Sequence, residues 1–483
     1  VLSLAIGVQA SFEPIGAYQP ASQVTDHNAL DQDQAAIEAV LSKVPVAYGQ
    51  ARSVYTEGGN SRAISVLTIP ALTTGMSKGV AVKATGEDGN PVSGAVWLAA
   101  DTGSTQISVV YDVSDVQANH VRCRVGGLPV EFQRRDGCID TNKTVTIGPN
   151  SMQATMVEHI SGRDIEGFST SAKARMWECS NGCPYAEYSS FYDYYGTHTY
   201  ADEWVKGAID GINVAYPRGR GSADFSRFND DATRVEAIKK GTVYLNIWMY
   251  VVREFEDAVG DCEDSCINCN DDPVHAWDEG VAFYTGSLVR PQSTVDPTMP
   301  LFEGGNLLWT LNDKRCVNFK TCGANGDSTT GTAKVNLDLA TQFAIGQHAL
   351  RLGQCTAGDV VKDRVVNLMR IGLIQGTLRY AYIVGELAGT EKERAEGAVF
   401  AASVLPALHK CSATAATTVY DNMKLGASST SMAAVKRAFE VSLEPWHTPQ
   451  WHIWHIAAWW ARLSLKLSAH PAYSPRLVTA GQL

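Results

Sequence analysis

No stretch of this 483-residue chain stays apolar for long enough to cross a bilayer. The nearest approach, "IWHIAAWWARLSL" close to the C-terminus, is short and carries Arg462, so no transmembrane segment is expected. A long run of Lys and Arg is also missing. The net charge is -11, which argues against nucleic acid and anionic membrane as main partners and suits a protein that meets cations. Gly-rich phosphate loops, nucleophile elbows and H-E-x-x-H helices do not occur, so the sequence signatures of those chemistries are lacking. Nor is the duplicated Glu-x-x-His of di-iron bundles present. Glu166, Glu178 and Glu187 have no His three residues on, which counts against a ferritin-like oxidase.

What is present points to a globular protein. The chain is 45% hydrophobic and 19% charged, and its length makes two domains the starting expectation. Eleven cysteines fall mostly in local groups: Cys123 and Cys138; Cys179 and Cys183; Cys262, Cys266 and Cys269; Cys316 and Cys322; with Cys355 and Cys411 apart. Only Cys266 and Cys269 have the C-x2-C spacing of a zinc pair, so disulfides in an oxidising compartment are the preferred reading over a metal–thiolate site. An odd count leaves at least one thiol without a partner in the chain. Residues 1–12 read as the remnant of a signal peptide, and Asn142 begins an Asn-Lys-Thr glycosylation sequon. Both agree with secretion into a periplasmic or extracellular space.

The texture changes along the chain. A short helix is expected at about 30–50, and short β-branched runs broken by Gly, Asn and Asp follow to 150. Together, 30–150 forms a smaller, N-terminal, antiparallel β-rich lobe. From 151 to 441 the period becomes helical, and a bundle of about six to nine helices is expected. In "TRVEAIKKGTVYLNIWMYVVREFEDAVGDC" a seam runs through Val235, Ile238, Thr242, Leu245, Met249, Val252, Glu256 and Val259. A second long helix covers 357–387, and Thr390 with Glu393 forms a capping box for the next.

Charge enters these packing stripes. Glu254, Glu256 and Asp257 lie on one helix. On the next, "DDPVHAWDEGVAFYTGSL", a stripe of His275, Asp278, Glu279, Ala282 and Gly286 runs beside the packing stripe of Trp277, Val281, Tyr284 and Leu288. Further candidates for metal or anion contacts are Arg379, Tyr382, Glu386 and Glu396. A carboxylate in a seam is costly unless it is paired, protonated or bound to metal. Two remedies stay open: a buried ion-pair network with the arginines and lysines, or a cation held by carboxylates, imidazole and a Tyr, a ligand set that suits iron or manganese. The Tyr-rich segment 188–204 reads as inter-helix packing. "YPRGRGSADF" (216–225) fits a loop, able to hold an anion only with help from elsewhere. The tail 442–483, with His447, His452 and His455 among tryptophans, reads as packing or disorder rather than a metal site.

Taken together, "VYTEGGNS", "CRVGGLPV" with "DGC", "DYYGTHTYADEWV", "GRGSADFS", "AIKKGTVYLNIWMYVVREFEDAVGDC", "VHAWDEGVAFYTGSL", "KRCVNFKTCG", "LIQGTLRYAY" and "AEGAVFAASVLPALHKC" resemble the algal iron-assimilating protein family. Its members are also described as low-iron-inducible periplasmic and high-CO2-responsive extracellular proteins. The resemblance runs from about residue 53 to 441; beyond it, the Trp/His tail departs from the family pattern. It implies a secreted, non-catalytic protein that captures iron, ferric or ferrous, upstream of a membrane iron transporter. The family's acidic helix motifs correspond to Glu254, Glu256 and Asp257, and to Asp278 and Glu279. Two other classes compete: a ferroxidase or other metal enzyme using the same carboxylates, and a structural extracellular or cell-surface protein held by buried ion pairs.

Overall fold

The computed structural model describes residues 14–22, 24–69, 152–171, 185–228, 230–264, 273–289 and 303–443. Between 70 and 151 it describes only the backbones of the strands given below, and side chains are described outside 62–162. The fold is mainly α, as expected. In chain order the helices are α1 Thr25–Asn28, α2 Leu30–Leu41, α3 Tyr48–Glu57, α4 Ile165–Thr170, α5 Ser189–Tyr195, α6 Tyr200–Asp210, α7 Asp231–Gly241 and α8 Trp248–Glu263. They continue as α9 Pro273–Thr285, α10 Leu308–Phe319, α11 Lys334–Arg351, α12 Cys355–Glu386, α13 Glu391–Cys411, α14 Ala413–Met423 and α15 Met432–Leu443. This exceeds the six to nine expected, because local breakers divide the periodic segments. Ser412, whose side chain accepts from the amide of Ala415, ends α13 and caps α14. Pro45 lies between α2 and α3, where a single short helix was expected.

Between α3 and α4 the chain leaves the helices for an antiparallel sheet: β1 Arg62–Ile69, β2 Val80–Thr85, β3 Pro91–Val96, β4 Thr105–Ile107, β5 Val109–Val113, β6 Val121–Val125, β7 Thr144–Ile147 and β8 Met152–Gly162. Their order is β4-β1-β8-β7-β2-β3-β5-β6. Arg62 pairs with Gly162 and Ala63 with Ser161, so the entering and leaving strands run side by side, as an insertion at one point requires. The limits of the lobe differ from the sequence reading. Helices α2 and α3, grouped there with the lobe, bury Ile37, Leu41, Ala51 and Tyr55 in the helical core. At the other end β8 carries the lobe on to Gly162.

The longest seam forms as its periodicity dictates. Helices α7 and α8 join through one π-helical turn, Thr242–Ile247. Ile238, Thr242, Leu245, Met249, Val252, Glu256 and Val259 are all buried along this rod. Helix α9 packs against α8, with the Phe255 and Trp277 rings 4.8 Å apart and nearly perpendicular. On the other side of Trp277 stands α11. A Cβ at Gly346 would lie 2.0 Å from the Trp277 ring, so only glycine permits this approach. The capping box at Thr390 and Glu393 is formed.

Among the described residues, two disulfides fasten the helices. Cys262–Cys355 joins the end of α8 to the start of α12, and Cys316–Cys322 closes a short loop after α10. Cys411 is at the exposed end of α13. Cys138, Cys179, Cys183, Cys266, Cys269, Asn142, the signal-like start and the tail from 444 lie outside the described residues, as does the side chain of Cys123. Among the described residues, no helix is long and apolar enough to cross a membrane.

Candidate metal centre

The acidic helix α8 does not deliver its carboxylates to a common point. Arg253 donates from Nη1 to Glu254 and from Nη2 to Asp257, each at 2.9 Å, and Asp257 also accepts from the Tyr185 hydroxyl. Glu256 accepts from the backbone amides of Glu187 and Tyr188 at 2.8 Å each, just before helix α5. Burial pushes its carboxyl up to about 7 against those two amides, which favour the anion. Guanidinium, a phenol hydroxyl and backbone amides thus meet Glu254, Glu256 and Asp257. Their expected role as a shared metal set is not what the geometry provides.

On α9 the adjacent residues Asp278 and Glu279 divide two tasks. Asp278 is fully buried and turns inward. It accepts from the Tyr18 hydroxyl, from the amides of Ala21 and Ser22 at 2.8 Å, from Ser22 Oγ at 2.8 Å and from Gln347 Nε2 at 2.8 Å. Burial raises its carboxyl above the usual range, and these donors counter that. So many donors saturate the carboxylate and pin segment 18–22 against α9. Asp278 is therefore a fastener rather than a metal ligand.

The pinned segment leads directly into the single turn of α1, and that turn carries His27 to Glu279. His27 Nε2 lies 2.5 Å from Glu279 Oε1, and His275 Nε2, one turn earlier on α9, lies 3.1 Å from the same oxygen. One ligand atom from each residue falls within 4.8 Å of the others, the only such group of three among the described residues. The two imidazole rings stand 5.7 Å apart and perpendicular, and His27 rests on Phe283 at 5.3 Å. Phe168, stacked on Tyr250 at 4.1 Å, closes the wall behind Phe283. His27 is 2% exposed, while the His275 side chain is 29% exposed and leaves the group open to solvent on one side.

The network also assigns the His275 tautomer. Ser22 Oγ has one proton and donates it to Asp278, so at 3.1 Å it accepts from His275 Nδ1–H. That leaves Nε2 of a neutral His275 with its lone pair directed at Glu279. Either a proton on Nε2 or a cation between the groups makes that approach attractive. Burial alone would raise the Glu279 carboxyl, but His27 and His275 outweigh it and hold the group well below the usual carboxylate range. Arg163 Nη2, at 3.7 Å, adds a further positive charge.

Of the expected site residues, His275 and Glu279 come together, Asp278 supports them from behind, and Glu254, Glu256 and Asp257 serve elsewhere. Glu396 pairs with Lys240 at 2.6 Å. Arg379 Nη1 lies beside the Asn318 amide and donates to its oxygen at 3.3 Å once that amide is turned to satisfy both of its ends. Tyr382 is half-buried and Glu386 exposed on the same helix. Among the described residues, neither Glu386 nor Glu396 joins the His27–His275–Glu279 group. His27 was not singled out in the sequence. The i, i+4 spacing of His275 and Glu279 is visible there, but nothing local to "TDHN" marks its histidine as their partner. Comparisons with protein-family models, with curated proteins and with solved structures found no match.

Proposed function

We infer that the protein captures iron as cargo at His27, His275 and Glu279. The observation that carries this reading is the convergence of two imidazoles and one carboxylate at one point. Metal–ligand bonds of about 2.0–2.2 Å require neighbouring donor atoms roughly 3 Å apart, near the spacing of the two imidazole nitrogens to Glu279 Oε1. Two His and one carboxylate form a set suited to ferrous iron, and Ser22 with Asp278 supplies the outer layer that fixes the ligand tautomer. Three protein ligands leave coordination positions open on the solvent side, which favours capture and hand-over above a closed structural site. The acidic net charge, the disulfides and the resemblance to iron-assimilating proteins support the same reading in a secreted protein, upstream of a membrane transporter.

Anaerobic calorimetric titration of purified protein with ferrous ion tests it. Binding of one equivalent is expected, with at least tenfold weaker binding by His27→Gln and by Glu279→Gln. No saturable binding by the wild-type chain, or equal affinity in the double variant, would reject the reading. Oxygen consumption on ferrous addition separates retention from ferroxidase turnover, and retention predicts none above the buffer rate.

A further inference from the structure

Away from the histidines, a cavity of about 230 Å³ opens between α7, α10 and α13, lined by Lys239, Lys240, Lys314, Glu38, Glu236 and Glu396 among others. The carboxylates there already have partners. Lys240 bridges Glu236 and Glu396, and Lys239 lies 3.5 Å from Glu38. Lys392 adds a second ammonium 3.7 Å from Glu236. Lys314 does not share in this: among the described residues no carboxylate stands within 4.0 Å of its ammonium. Its neighbour Arg315, whose charge is felt at the lining residues Tyr244 and Glu396, has Nε and Nη1 buried without an acceptor. Arg379 crowds Arg315 with another positive charge. The lining itself balances, three lysines against three glutamates, but Lys392, Arg315 and Arg379 beside it make the surroundings positive, and Lys314 Nζ and the buried Nε and Nη1 of Arg315 have no direct anionic contact among the described residues.

We propose that this cavity binds a small oxyanion, phosphate or carboxylate, with Lys314 as its main contact and Arg315 stabilising it from behind. Lys314 is exposed overall, and its ammonium is held below its ordinary pKa by partial desolvation and by the charges of Lys240, Arg315 and Lys239, against the pull of Glu38, so an anion beside it would offset that crowding of positive charge. The volume suits an anion of a few heavy atoms. The cavity shares no lining residue with the His27–His275–Glu279 group.

The test is calorimetric titration of the full chain with inorganic phosphate and with malonate, in a chelator and against chloride at matched ionic strength. Saturable binding of at least one of the two is expected, at least tenfold weaker in Lys314→Gln and restored in Lys314→Arg. Glu279→Gln should bind the anion as the wild type does, which separates this site from the iron reading. Responses to phosphate and malonate no greater than to chloride, or an unchanged affinity in Lys314→Gln, would overturn the proposal.

Discussion

Glu256 shows how backbone amides accommodate a single carboxyl in a packing seam. Two backbone amides ahead of α5 stabilise its charge, yet burial prevails and pushes the carboxyl up to about 7. An unfolded glutamate titrates at about 4.3. Between these values the folded chain holds a proton that the unfolded chain has released, so this contribution to stability falls as pH rises through the window and is level above it. Glu256→Gln removes the titration. Denaturation curves at several pH values should therefore show the variant gaining on the wild type by up to about 4 kcal/mol between about pH 4.3 and 7. Parallel curves would mean that Glu256 is ionised throughout. Ser22 offers a second single-residue test, because its hydroxyl links Asp278 to His275. Ser22→Ala should weaken ferrous binding about 10- to 100-fold, read by calorimetry, while costing only about 1 kcal/mol of stability.

Elements here are set by two kinds of pattern, and they differ in how openly the sequence displays them. Periodicity and caps are local, which is why the α7–α8 seam, the long α12 and the Thr390–Glu393 box could be read in advance. Carboxylate partners are not local. Glu256 meets amides of a Tyr-rich segment, Asp278 meets a loop near the N-terminus, and Glu279 meets His27, so spacing on α9 revealed two members of the trio and nothing about the third. Close approach between helices is likewise invisible until glycines are placed. Gly346→Ala should destabilise by about 1–3 kcal/mol, since the new methyl group overlaps Trp277. Gly49→Ala in α3, where nothing lies within 4 Å of the added carbon, should instead stabilise by about 0.5–1 kcal/mol. Urea midpoints for the pair decide the matter, and equal effects would refute the packing account.

At the scale of the whole chain, the helical body is tied together by links between distant parts of the sequence. Cys262–Cys355 spans 93 residues, and removing it should cost about 4 kcal/mol through the looser unfolded chain. The Cys262→Ala/Cys355→Ala double variant, unfolded in urea beside the oxidised wild type, measures this; a loss below about 1 kcal/mol would show that packing alone holds α8 to α12. A comparable tie without covalent bonds is the strap of residues 18–28, fastened by Asp278 and ending in His27. Because one donor arrives on that strap and the other two sit on a buried helix, an ion held among them would leave when the strap peels from α9. Residence time would then follow the local opening of a short N-terminal segment, and whatever grips that segment would also set how quickly the cargo is surrendered.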